Sequence, residues 1–163
     1  MTPKTEKPTT EFYIGSHLVT VDTEMIPILS KFTWSVSKGR NTYYVNTSAK
    51  LGGKRVGISM HRLVTGMVNA EIDHINGNGL DNRSENLRHA TKKQNSYNRV
   101  NKNKYGFRGV FRPAWTDKFA YQIVKDRKQY YEYGFETPEQ AARAYDKKSK
   151  ELHGEFGIRN FKD

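Results

Sequence analysis

The sequence predicts an α+β protein built from small antiparallel sheets, and three observations lead there. The first half repeats short β-branched or aromatic runs cut by Gly, Asn and Asp. Residues 71–98 read as strand, loop, strand and helix in quick succession. The last third holds strand-like runs followed by one amphipathic helix. Short runs bounded by turn formers are the pattern of antiparallel hairpins.

Residues 1–10, with two prolines and no periodicity, read as a flexible arm. From "FYIGSHLVTVD" through "KFTWSVSKGRNTYYVNTSAKLGGKRVGISMHRLV" the runs predict small strands, with turns at "SKGRN" and "LGGK". "EIDHI" is the next strand, "NGNGLDNRSE" a loop, and "NLRHA" a second strand. "TKKQNSYNR" then opens a helix, with Thr91 and Gln94 spaced as a capping box. Residues 100–104, inside the polar, cationic "VNKNKYG", are read as a linker between a domain at 11–99 and another at 105–163.

Beyond the linker, "FRGVFRP", "KFAYQIVKD" and "KQYYEYGF" predict three strands, with turns near Thr116-Asp117 and Arg127-Lys128. A helix follows with Thr137 as N-cap, Pro138 at N1 and Gln140 at N3. Ala141, Ala144, Tyr145 and Leu152 fall on one face of it, so a three-stranded sheet packed on one helix is expected. There is no internal repeat and no low-complexity tract.

At 163 residues the chain suffices for one ordinary domain or two small modules. Its 28 Lys and Arg against 17 Asp and Glu leave +11, which points to a polyanionic partner, nucleic acid before an anionic membrane. The excess is concentrated: residues 87–130 carry 12 basic and 2 acidic side chains. The same stretch holds Tyr97, Tyr105, Phe107, Phe111, Trp115, Phe119 and Tyr121, so it reads as a folded basic surface rather than a disordered tail. Without cysteine, neither disulfides nor a Cys-type zinc site is available. No apolar run approaches a membrane span and the first residues lack a secretory apolar centre. A cytoplasmic setting, in a bacterial or phage-infected cell, is the expectation.

Phosphodiester hydrolysis needs a cation to stabilise charge on the phosphate and a base of near-neutral pKa to deprotonate water. Asp73 offers a hard anionic oxygen and His74 a suitable base. Neighbours on a regular strand face opposite ways, so the two can reach one phosphate only at a strand end or bend. A turn Asp beside an exposed His is the plain alternative. An EF-hand is excluded, because Ile75 stands at loop position 3 and no Gly falls at position 6. Asn76, Asn78 and Asn82 read as turn residues tolerating unusual φ, and His61 as a packed histidine. His17, His89 and His153 have no partner pattern.

"DHINGNGLDNRSENLRHATKKQNSYN" resembles the HNH family of homing endonucleases, in the phage and intron-encoded branch with a ββα-metal core, and the likeness reaches back through "MHRLVTGMVNAEI". The resemblance implies that Asp73 and Asn95 hold one divalent metal ion, Mg²⁺ or alternatively Mn²⁺. It also implies that His74 activates water and that Asn86 orients His74. Asn98, one turn on, is the competing ligand. Arg88, Lys92 and Lys93 flank this site as candidate phosphate contacts.

"RGV", "GFET", "AARAYD" and the closing "NF" are similar to the Apetala-type DNA-binding domain of plant ethylene-response factors, which also occurs fused to HNH nucleases. That family lays its sheet in the major groove. Arg108 would carry over directly, Arg112 and Trp115 approximately, and Lys118, Lys125 and Arg127 would meet phosphates. Phe111 stands where the plant domains have Arg, which argues against the plant target sequence. The expected partner is double-stranded DNA, with no membrane or protein partner, for a monomer or homodimer. The competing readings are a non-catalytic DNA-binding protein on a degenerate HNH scaffold and, more weakly, an RNA-binding surface.

Overall fold

The computed structural model describes residues 7–66, 70–98 and 103–161 and is mixed α+β, as the sequence predicts. The chain divides into two compact units, Met1–Lys92 and Lys93–Asp163. The division falls at the start of a helix and not in the expected linker 100–104, of which residues 100–102 lie outside the described residues. Of the expected arm, residues 1–6 also lie outside, while Thr9 and Thr10 already belong to the first strand.

In the first unit, β1 (Thr9–Ile14) and β2 (His17–Asp22) form an antiparallel hairpin in which Phe12 faces Val19. A short helix, α1 (Ile26–Leu29), follows a 3₁₀ turn, and sequence periodicity had not signalled it. Pro27 is tolerated because the first helical turn has no intrahelical use for an N–H. β3 (Ser35–Lys38), β4 (Tyr43–Leu51) and β5 (Lys54–Ser59) make a three-stranded meander, and the expected turns connect them. α2 (Met60–Val64) closes this part.

The core of the unit comprises Val19, Val21, Leu29, Val45 and Met60, with Phe12, Trp34, Val36 and Leu80 packed around it. Leu80 belongs to the loop of the next hairpin, so the core extends beneath that loop. β6 (Glu71–His74) pairs antiparallel with β7 (Leu87–Ala90), setting Asp73 opposite Arg88 and His74 opposite Leu87. Residues 75–86 connect them and include a 3₁₀ turn at Ser84–Asn86.

α3 (Lys92–Tyr97) begins at the division. The second unit then forms a sheet from β8 (Val110–Phe111), β9 (Phe119–Lys125) and β10 (Lys128–Phe135) in the order β10-β9-β8. The β9–β10 turn centres on Asp126 and Arg127, at φ 53° and 65°, one residue earlier than expected. Two left-handed residues match the twist of a two-residue hairpin.

α4 (Pro138–His153) carries the expected capping box: Gln140 N donates to Thr137 Oγ1 at 3.3 Å and Thr137 N to Gln140 Oε1 at 3.4 Å. It buries Ala141, Ala142, Tyr145, Asp146 and Ser149, while Ala144 and Leu152 are half-buried. Gly109 of "RGV" has φ +72°, and a Cβ there would stand 2.2 Å from the Tyr145 ring, so close packing of α4 on the sheet requires glycine. No helix among the described residues is long and apolar enough to cross a membrane.

Asp146 explains the closing "NF". Its Oδ1 accepts from Asn160 N at 2.7 Å and Asn160 Nδ2 at 3.1 Å, and its Oδ2 accepts from Phe161 N at 2.9 Å. Asn160 Oδ1 in turn accepts from Arg108 N at 2.7 Å, tying the chain end to the start of the sheet. Asp146→Ala is expected to lower unfolding free energy by roughly 3 kcal/mol, the scale of buried bonds to a charged acceptor. The exposed Lys147→Ala should change it by less than about 0.5 kcal/mol. Urea unfolding of the two variants followed by circular dichroism compares them.

Candidate active site

Asp73 and His74 are the last two residues of β6, the strand-end position that the alternation of side chains demands. Both are buried, at 4% and 6% exposure. The strand stops because the backbone turns away after one last bond, from Ile75 N to Asn86 O at 2.8 Å.

The loop that follows is a polar structure held from within. Asn76 Oδ1 accepts from Asn78 N at 2.8 Å, and Asn78 Oδ1 from Leu80 N at 3.1 Å. These asparagines therefore turn the chain through side-chain bonds to the backbone and not through unusual φ, since only Asp126 and Arg127 among the described non-glycine residues have positive φ. Asp81 accepts from Arg83 Nε and NH2, both at 2.8 Å, and from Asn76 Nδ2 at 2.8 Å. Burial works to raise the Asp81 pKa, but the Arg83 bonds outweigh it and hold the carboxyl below its usual value.

β2 braces this loop from outside: Thr20 N donates to Leu80 O at 3.1 Å, Asn82 N to Thr20 O at 2.8 Å, and Ser84 N to Asp22 Oδ2 at 2.9 Å. β4 approaches from the other side, and a Cβ on Gly79 would stand 2.3 Å from Tyr43 O and 2.8 Å from the Tyr44 ring. The glycine of "NGL" is thus a point of contact with β4.

Asn86 differs in role from the expectation. Its Nδ2 donates to Asp81 O at 2.7 Å and Asn76 Oδ1 at 3.1 Å, and its Oδ1 accepts from Asn76 N at 3.0 Å, so the amide clamps the loop and does not bond His74. The amide against His74 is that of Asn82, fully buried, with Oδ1 3.5 Å from His74 Nε2. No spacing rule singles out Asn82. It reads as a turn residue because its burial comes from β2, distant in sequence.

Burial lowers the His74 pKa, opposed by Asn82 and by the charges of Asp73 and Asp81. The rings of Tyr44 and His61 stand 5.9 and 5.2 Å from that of His74. His61, expected as a packed histidine, is packed here against the rings of Tyr44 and His74. Its ring is held neutral, with its pKa pushed down to about 4 by burial and then by His74 and Arg62.

Arg88, expected at a DNA phosphate, instead reaches across the hairpin: its Nε and NH2 donate to Asp73 Oδ2 at 2.9 and 2.7 Å. The pair is nearly buried, so the guanidinium is engaged with the carboxylate. Asn95 is half-buried on α3, and Asn98 follows the helix with its N donating to Asn95 O at 3.3 Å. Lys92 is exposed and Lys93 pairs with Asp126.

In the second unit Arg108 turns inward, with NH1 donating to Tyr97 O at 3.0 Å. Lys125 bonds the Leu152 carbonyl, Lys118 pairs with Glu136 at 2.6 Å and Arg112 with Asp117 at 3.2 Å. Arg127 is an exposed turn residue. Trp115 is 69% exposed, with its ring edge-on to Tyr133 at 5.1 Å.

Family comparison agrees with this geometry. The HNH endonuclease family matches residues 60–97, the stretch holding α2, the β6–β7 hairpin and α3. An uncharacterised HNH endonuclease of Acanthamoeba polyphaga mimivirus is 34% identical over 138 residues, 82% of this chain and 70% of the relative. The chain belongs to the HNH endonuclease family. No solved structure matches it at comparable significance.

HNH nucleases generally use a divalent metal ion. Among the described residues of this HNH endonuclease, no group of three or more His, Cys, Asp or Glu could hold one. A cation would rest on the Asp73 carboxylate with neutral oxygens and water. The Asp73 carboxylate already draws the Arg88 cation to one oxygen, which fits a site selecting positive charge.

Stability should fall as pH drops from 6.5 towards 4. Unfolded His61 protonates near 6.5 and the buried ring only near 4, so the unfolded state binds more protons throughout that window. Urea midpoints between pH 7.5 and 4.5 measure this, and His61→Phe should flatten the curve. Parallel curves for the two proteins would rule His61 out as a source of the slope.

Proposed function

We propose that this HNH endonuclease is a metal-dependent, homing-type DNA nuclease in which His74 is the general base. The carrying observation is His74 itself: buried at the end of β6, bonded through Nε2 to a fully buried amide, with a lowered pKa. An acceptor at Nε2 keeps the proton there and leaves Nδ1 as the basic nitrogen. Asp73 would hold one divalent cation, Mg²⁺ or Mn²⁺, which when bound stabilises charge on the phosphate and leaving oxygen. Arg88 orients the Asp73 carboxylate through its two bonds to Oδ2. Asn86 holds the loop carrying Asn82, and so acts on the base through it.

The second unit, in this reading, binds flanking DNA through the outer face of its sheet. Tyr131 and Tyr133 are exposed there beside Trp115, which supports contact by aromatic side chains. Arg108, turned inward, is a less direct candidate than Trp115, Arg112 or Lys118. One site per chain would nick duplex DNA, and double-strand cleavage would need two chains.

The test is cleavage of supercoiled plasmid and long phage DNA with Mg²⁺, Mn²⁺ or chelator. His74→Ala should lower the rate by about 10²–10⁴-fold, the usual contribution of a general base, while DNA affinity is kept. Because burial depresses the His74 pKa, the rate should hold below pH 6.5 and decline only as the neutral imidazole is lost. Absence of cutting with either metal, with DNA binding intact in His74→Ala, would instead identify a binding protein.

A further inference from the structure

Three rings meet at the base, and each comes from a different part of the first unit. Tyr44 belongs to β4, His61 to α2 and His74 to β6. Their centroids are 5.2 Å apart for His61–His74, 5.9 Å for Tyr44–His74 and 6.1 Å for Tyr44–His61. All three pairs are tilted or edge-on, the orientations aromatic quadrupoles favour.

We propose that Tyr44 and His61 are positioning residues for the base: their rings hold the plane of the His74 imidazole, and His61 acts through its ring and not through a nitrogen. This rests on the reading of His74 as general base.

The histidine χ2 torsion has broad minima, so the plane of an imidazole is set by what packs against it as well as by its hydrogen bonds. The Asn82 amide supplies the direction, and the two neighbouring rings limit the rotation. Tyr44 is itself seated tightly. A Cβ on Gly39 would stand 2.5 Å from its ring and one on Gly79 would stand 2.8 Å from it. A loop of the meander and the β6–β7 loop thus close on the same tyrosine.

His61 Nδ1 is buried with no hydrogen-bond partner among the described residues, so this nitrogen contributes no bond to them. The ring stays neutral, which spares His74 a neighbouring charge when it takes a proton from water. The imidazolium so formed would lie against aromatic rings, which stabilise a cation.

The experiment uses the full chain and compares Tyr44→Leu, Tyr44→Phe, His61→Ala, His61→Phe and His74→Ala. Plasmid nicking yields kcat and KM separately, and the imidazole proton resonances of His74 report ring-current fields from its neighbours. Tyr44→Leu and His61→Ala should lower kcat by up to about 10²-fold, the cost of a misplaced catalytic group, with KM little changed. Both should move the His74 resonances, and phenylalanine at either position should restore most of kcat.

Equal loss in His61→Phe and His61→Ala would overturn the proposal by showing that a nitrogen matters. Normal kcat in His61→Ala and Tyr44→Leu would also overturn it, as would losses matching the fraction of protein unfolded. The underlying reading fails separately: His74→Ala cutting like the unmodified chain would remove the base assignment whatever the ring variants do.

Discussion

Polar residues can be buried only where their hydrogen-bonding groups find partners, and this constraint shapes the first unit at Gly79, Asp81, Asn82 and Asn86, the buried part of the loop after His74. Residues 75–86 meet it in two ways. Their own asparagines cap neighbouring amides, and β2 presents Thr20 and Asp22 to Leu80, Asn82 and Ser84. With those amides satisfied, the Asn82 side chain is left for His74. Leu80, on the same loop, joins the apolar core, so the stability of the site and that of the fold are not separable.

Opposed effects set the chemistry at the end of β6. Asp73 is buried, and Arg88 across the hairpin supplies the opposite charge at hydrogen-bond distance. Burial lowers the proton affinity of His74 while Asn82 and the nearby carboxylates raise it, and burial prevails. The result is a His74 ring kept neutral by burial next to the Asp73–Arg88 pair.

The second unit uses the same economy on a smaller scale. One buried carboxylate, Asp146, anchors the chain end, and one glycine lets α4 approach the sheet. Several cations in this basic region are engaged internally or in surface pairs. The outer sheet face is consequently more aromatic than cationic, with Trp115, Tyr131 and Tyr133 exposed. Surface pairs of this kind contribute little to stability.

Local rules made much of this molecule legible in its sequence. The capping box at Thr137, the hairpin strands around Asp73 and Arg88, and the three strands of the second unit depend on neighbours a few residues apart. The Asp73-His74 pair and its HNH context were legible for the same reason. Tertiary structure alone decided that Asn82 and not Asn86 meets His74, that Arg88 pairs with Asp73, that Arg108 turns inward and that Tyr44 and His61 stand against the His74 ring. Those facts follow from which strands pack together and how closely, through contacts such as Thr20 with Asn82 and Tyr44 with Gly79 that span tens of residues. Residue spacing carries the periodicity of helices and strands, but it does not carry the close approach of two distant backbones.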